Sequence, residues 1–583
     1  MKNYNDDRSV ENLEEQFGDP WDNSNPVGFN SILNADEQNE MLIAGEKMLD
    51  KFNLNAEFVP VEYGGRLKRI DHLICIMRSI YRHDPCLGLG YGASSLIASV
   101  NIWTAGNLNQ RIAAADLLLR NRKIACSYYE LSHGNDLARV EFEAIPKGGL
   151  WLLNGSKQVT TNLKRADAIV LFARTALENG SRSHTQFFID KSSIPSDRIN
   201  YLPRFNSVGM RGVQLGGIEF HNCPVEPSNM LGAAGSALEV AIKSFQITRT
   251  VLPGMFMGIL DTGLRVAIRY AYERWLYGNA VAEIPHVRRA LVETFIDLII
   301  CDCICTVVAR AIHILPQQTC LYSPAVKFIV PKILIDAMNR LSILLGANFY
   351  LRDGQYAIFQ KLLRDLKPSG FGHVARVVCQ MTMLPQLPRL AKHSWLVDDT
   401  VPEMLFFLEE DLPSLSFQNF SISAGNHDPI IAGLFSGLRI LSKKNSSQHQ
   451  LIRQLVQGFI SELKILKEKC VDLPLQELSV MASPETYDLT RRYANILVAS
   501  ACFNVWLHSQ NSFLRNPAWL LAALNRLNYF NNSNFFSMPS NENYLFSELI
   551  YRYDNARSFD VFNNCLPGWQ PSSKSRSIIR GIL

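Results

Sequence analysis

GLWLLNGSKQVTTNLKRAD, residues 149–167, is the stretch that decides the fold. Apolar, aromatic and β-branched residues alternate with polar ones through it, the Asn154-Gly155 pair interrupts it, and a polar segment closes it. It reads as strand. Similar short runs flank it: KIACSYYEL, DAIVLFART, TQFFID and GGIEFHNCPV, each bounded by polar or Gly-containing turns. Together they predict a small antiparallel β domain over residues 123–233. Outward from it the period becomes helical. Residues 35–122 read as an N-terminal helical domain, with Asn34 as N-cap of ADEQNEMLIAGEKMLDKF and a break at Gly64-Gly65. Residues 1–34 read as an irregular polar lead-in. After Gly235 comes one very long helix, or two joined near Pro253, then helical stretches at 284–315 and 325–345. The reading is a four-helix bundle at 234–395 and an additional helical domain at 396–583, whose end from 528 to 568 is rich in Asn, Ser, Phe and Tyr. The expected fold class is mainly α with a small central β domain.

Composition fits a globular chain of several domains: 583 residues, 47% hydrophobic, 19% charged, net charge +4. No long basic run suggests a nucleic-acid surface. The first residues lack the apolar core of a secretory signal. The most membrane-like stretch, 291–315, holds Glu293, Asp297, Asp302 and Arg310, which make a bilayer span costly; it reads as a buried helix. Twelve cysteines without disulfide-like spacing suit a reducing cytoplasm. Cys301, Cys303 and Cys305 do not share one helix face, so they read as core residues, and no metal site is expected.

Five signals follow one another between residues 57 and 395. Tyr129-Glu130-Leu131-Ser132-His133-Gly134-Asn135-Asp136 precedes the 149–167 stretch. Gly209-Met210-Arg211-Gly212, Glu219-Phe220, Val225-Glu226-Pro227 and Leu231-Gly232 close the β domain. Tyr270-Ala271-Tyr272-Glu273-Arg274-Trp275-Leu276-Tyr277-Gly278 lies in the bundle, and Leu344-Leu345-Gly346-Ala347 and Arg364-Asp365 near its end. In this order they resemble the acyl-CoA dehydrogenase and acyl-CoA oxidase family: T-E-P-x-x-G-S-D, then N-G-x-K-x-W-I-T-N, then Y-A-x-x-R-x-x-F-G. The phrases FGDPWD, ELSHGND and MLPQLPRLA, with the extra length at both ends, are similar to long acyl-CoA dehydrogenase-like proteins of lipopeptide and polyketide assembly systems. Some of those act on acyl groups held by a carrier protein.

The resemblance implies an FAD-dependent oxidoreductase that converts an acyl thioester, on CoA or a carrier protein, to the enoyl product. It places Ser127, Tyr128, Tyr129, Thr160 and Thr161 at the flavin ring through backbone groups and hydroxyls. Asn135 and Arg274 would serve the pyrophosphate, with Tyr277 in the same signal. The arginine would reach across from a second subunit, which implies a homodimer. His133 reads as near the phosphates or merely structural. Three positions depart from the pattern: Tyr129 for the T-E-P threonine, Val159 for the tryptophan, and Pro285 for a glutamine.

The family's catalytic Glu is missing from both of its usual places. One is Thr248, beside Arg249; the other is His373, in Gly370-Phe371-Gly372-His373. Three readings stay open: His373 is the base, the base comes from elsewhere in the pocket, or no α-proton is removed. Arg249 beside His373 is expected to lower the imidazole pKa and leave it neutral at pH 7. Backbone N–H groups of the same turn are expected to face the developing enolate. The rival functions are an oxygen-using flavoenzyme of this fold and a non-catalytic acyl-binding subunit. The sequence does not fix the electron acceptor.

Overall fold

A computed structural model describes residues 10–178, 180–397, 400–532 and 541–571. The start of the lead-in and residues 533–540 of the Asn/Ser-rich end lie outside it. In chain order the early helices are α1 (Val10–Phe17), α2 (Phe29–Gln38), α3 (Ile43–Phe52), α4 (Ile70–His83), α5 (Ser94–Ala105) and α6 (Leu108–Leu119). Strands β1 (Ile124–Ser127), β2 (Glu143–Lys147), β3 (Leu150–Thr161), β4 (Ala168–Arg174), β5 (His184–Asp190), β6 (Ile199–Tyr201), β7 (Leu215–Val225) and β8 (Met230–Leu231) follow. Then come α7 (Ala237–Glu273), a hairpin of β9 (Trp275–Leu276) and β10 (Asn279–Ala280), α8 (Pro285–Ile314), α9 (Thr319–Leu345), α10 (Ile358–Leu366), α11 (Arg376–Met383) and α12 (Leu387–His393). The chain closes with α13 (Pro429–Leu441), α14 (Ser447–Cys470), α15 (Pro484–His508), α16 (Pro517–Asn532) and α17 (Glu542–Asp554). The chain forms two compact units, one of residues 21–248 and 414–422, the other of the remaining described residues.

In the first unit the strands make one sheet in the order β6-β7-β3-β2-β4-β5-β8, with β1 also on β4. The sheet is mixed rather than antiparallel, because β1 and β2 both run parallel to β4. β4 lies between partners and is buried on both faces, which explains its unbroken apolar run. Two register shifts against β7 bend β3 between Leu153 and Gly155 and between Lys157 and Thr160. Two short helices, α1 and α2, occupy residues read as irregular. Asn34 lies inside α2 rather than capping it; Asn39, at φ 56°, ends that helix in the left-handed conformation open to Asn.

The second unit is helical. Its part of α7 contains Pro253, and α7 continues through that proline as one helix. Helix α7 is also long and apolar enough to cross a membrane, but its apolar window is buried. Four charged residues of α8, Glu293, Asp297, Asp302 and Arg310, reach segments after residue 395. Asp297 takes a two-pronged bond from Arg526 of α16, one arm at 2.9 Å, and a third from Arg340 of α9 at 3.0 Å. Glu293 stands 3.5 Å from the same Arg526. Asp302 accepts the backbone N–H of Val561 at 2.9 Å, and Arg310 donates to the carbonyls of Met404, Leu408 and Glu410. A buried carboxylate is tolerated only when its lone pairs are filled in this way. Asp428, the N-cap of α13, gathers Tyr322, Trp395 and Tyr493 around its buried carboxylate. The two ends of the unit meet where the Trp569 indole donates to Glu14 of α1 at 3.1 Å, both side chains buried. Gly568 packs so tightly there that a Cβ would lie 2.1 Å from the Gly18 carbonyl oxygen. Cys301, Cys303 and Cys305 are all buried in α8.

Candidate functional site

Within the first unit, the residues singled out at the end of β1 and β3 form a polar floor. The Ser127 and Thr160 hydroxyls bond each other at 2.6 Å, and the Tyr128 hydroxyl bonds Asn101 and receives Gln186 at 3.2 Å. All three side chains are buried and engaged within this unit, so what they offer a ligand is backbone. Beneath them the fully buried Lys157 ammonium donates to Glu130 and to the Tyr128 carbonyl, each at 3.0 Å. Glu130 in turn accepts the N–H groups of Glu141 and Phe142, each at 2.9 Å. This lysine–glutamate knot fixes the course of residues 128–130. It also accounts for two motif positions, Glu130 and Lys157, to which the sequence reading assigned no role. Thr161 differs from its neighbours: it is half-buried, and among the described residues its hydroxyl has no partner. Tyr129 and Asn135 are also half-buried, while His133 sits 3.4 Å from Glu141.

The second unit brings the catalytic candidates together. Arg249 in α7 is buried, with its guanidinium 3.4 Å from the Thr382 hydroxyl of α11. His373 lies in the turn between α10 and α11 at φ 63°, a strained region for a residue other than glycine. The imidazole is pushed down to about 3, first by burial, then by the Lys327 ammonium, and third by Arg249. The arginine therefore acts in the expected direction, but it is the smallest of the three causes. Lys327 of α9 is the residue the sequence reading missed. Its only signal is a lone cation in the apolar run SPAVKFIVP, and helical period alone gives no reason to aim it at the turn. Cys379 of α11 completes the cluster; burial raises its thiol against the pull of Arg249, Lys327 and Arg376. The expected oxyanion role of the turn meets a correction. The N–H groups of Phe371 and Gly372 both donate to the Pro368 carbonyl, and that of Val374 donates to Gly372, so these amides are spent inside the turn. Arg274 and Tyr277 are exposed on the β9–β10 hairpin, Tyr277 at 95%.

Residues 235–372 match the model of the acyl-CoA dehydrogenase C-terminal domain. The mitochondrial isovaleryl-CoA dehydrogenase of Oryza sativa subsp. japonica is 28% identical over 254 residues, 43% of this chain and 61% of that protein. Among solved structures, butyryl-CoA dehydrogenase from Megasphaera elsdenii superposes with a TM-score of 0.58 at 17% identity, over 66% of this chain and 98% of that one. The prolyl acyl carrier protein oxidase AnaB does so with 0.58 at 20% identity, over 64% and 96%. The chain therefore has the fold of these acyl-CoA dehydrogenase structures. It spans about three fifths of the length of the curated relatives it matches.

Proposed function

We propose that this protein is an FAD-dependent oxidoreductase that desaturates an acyl thioester between Cα and Cβ, with His373 in place of the usual carboxylate base. The observation that carries this reading is the pairing of Arg249 with His373. Arg249 on α7 and His373 in the turn after α10 belong to one buried cluster with Lys327. In the first unit, Thr161 with its open hydroxyl, Tyr129 and Asn135 fit a flavin and its phosphates. Ser127, Tyr128 and Thr160 add backbone groups. Bound FAD would supply the acceptor for the hydride that leaves Cβ. The chain's own part is to take the α-proton at an imidazole nitrogen of His373. That nitrogen is proton-free at neutral pH. Its basicity is lowered by burial, Lys327 and Arg249, and it rises as negative charge develops on the thioester oxygen and offsets the two cations.

AnaB acts on a carrier-protein substrate, which supports testing that class beside CoA thioesters. The free cysteines support a cytoplasmic, reducing setting. Purified protein is expected to be yellow, or to take up FAD on titration with quenching of flavin fluorescence. Anaerobic addition of acyl-CoA and of acyl carrier protein should bleach the flavin with one of the two. A colourless protein that takes up no FAD would overturn the reading in favour of an acyl-binding subunit. Oxygen uptake after reduction separates an oxidase from a dehydrogenase.

The exposed hairpin with Arg274, Trp275 and Tyr277 supports a homodimer in which this arginine serves the partner's cofactor. Light scattering is expected to give twice the 65.8 kDa chain mass. A monomer that keeps its FAD contradicts this assembly.

A further inference from the structure

The amides of the turn that carries His373 serve two of its carbonyls: Pro368 O receives those of Phe371 and Gly372, and Gly372 O that of Val374. A further donor comes from Lys327, a side chain 1% exposed, whose ammonium donates to Ser369 O at 2.8 Å and to Gly372 O at 3.1 Å. Among the described residues this ammonium has no carboxylate partner. Its titratable neighbours are Arg249 from α7, His373 on the turn itself and Cys379 from α11. A buried cation beside another is expensive, and a structural donor to two carbonyls does not require one, since an amide or hydroxyl would serve. The arrangement makes sense if the turn must be held against strain. His373 stands at φ 63°, a conformation unfavourable to a non-glycine residue unless its surroundings impose it.

We propose that Lys327 is a positioning residue: by clamping the carbonyls of Ser369 and Gly372, it holds His373 in the left-handed conformation that places the imidazole beside Arg249. This rests on the reading of His373 as the base. It also predicts where the clamp fails. Burial and the nearby Arg249 pull Lys327 down to about 8, so the ammonium gives up its proton, and with it the charge that strengthens both bonds, above that pH.

The test compares wild type with Lys327→Met and Lys327→Arg as FAD-loaded full-length protein. Hydrogen exchange of the amides of residues 370–375 is read alongside single-turnover flavin reduction from pH 6 to 9.5. Lys327→Met is expected to speed exchange in the turn at least tenfold and to slow flavin reduction by roughly 10²-fold, the scale of a misplaced reacting group, with KM little changed. Wild type should lose protection and rate above about pH 8. Lys327→Arg, charged throughout, should move that alkaline limb upward and recover part of the rate. Unchanged exchange and an unchanged alkaline limb in Lys327→Met would overturn the proposal. If that variant fails to fold, the wild-type exchange profile decides: protection that stays flat through pH 8 overturns it. Loosened exchange together with an inert His373→Ala would leave the clamp standing and remove the base assignment instead.

Discussion

Replacing His373 with Ala is expected to leave FAD uptake intact and to slow flavin reduction by acyl substrate roughly 10²–10⁴-fold, the usual worth of a general base. The proton has nowhere else to go in the immediate cluster. Lys327 holds its proton at neutral pH, and the Cys379 thiol is kept protonated by burial. His373→Glu should retain or exceed wild-type activity. It restores the family's base, and the two cations beside it favour the ionised carboxylate. A single-turnover rate in His373→Ala equal to that of wild type would remove His373 from the mechanism. The same substitution has a second signature. The folded-state imidazole titrates near 3 and the unfolded one near 6.5, so between these values the unfolded chain binds the extra proton. Stability from keeping His373 neutral is present above pH 6.5 and is lost as pH falls toward 3, by about a few kcal/mol at most. The helical unit of His373→Ala should accordingly lose less of its melting temperature between pH 6.5 and 4 than wild type does.

Asp297→Ala should be the most damaging change outside the site. It strips the two-pronged partner from Arg526 and one partner from Arg340, leaving both guanidiniums to Glu293. Breaking a buried ion network from one side costs about 3–5 kcal/mol, because the orphaned charge stays buried. The expected result is a clearly lowered melting transition for the helical unit and early protease cleavage near α16. The β-containing unit should melt as before, so two probes are needed rather than a single unfolding free energy. A melting curve that overlays wild type would show that the Asp297 network contributes nothing to holding α16.

Asp297 also shows how far the sequence could be read. Glu293, Asp297, Asp302 and Arg310 were legible as charges that no bilayer span would carry, which placed the helix in a protein interior. What they pair with was not legible, because Arg526, Val561 and the 404–410 carbonyls lie far along the chain and no local period points to them. The long helices of the bundle and strands β1, β3, β4, β5 and β7 followed from periodicity. β2 escaped because EAIPK has neither strict alternation nor turn residues on both sides, and the parallel pairing of β1 with β4 is a long-range choice that strand propensity does not encode. At the site, His373 was found through its place in a motif. Lys327 stayed hidden because a lone lysine on an apolar helix face looks the same whether it snorkels to water or turns inward.

The bond between Trp569 and Glu14 spans 555 residues of sequence. On a ribosome adding about 5–20 residues per second, helix α1 emerges roughly half a minute or more before its partner exists. Through that interval the Glu14 carboxylate, buried in the finished protein, is without the Trp569 indole. The helical unit therefore cannot be completed as it is synthesised; its first segment must wait for its last. Moving the native termini by circular permutation, so that α1 follows residue 571 directly, should speed the final folding step without altering the site.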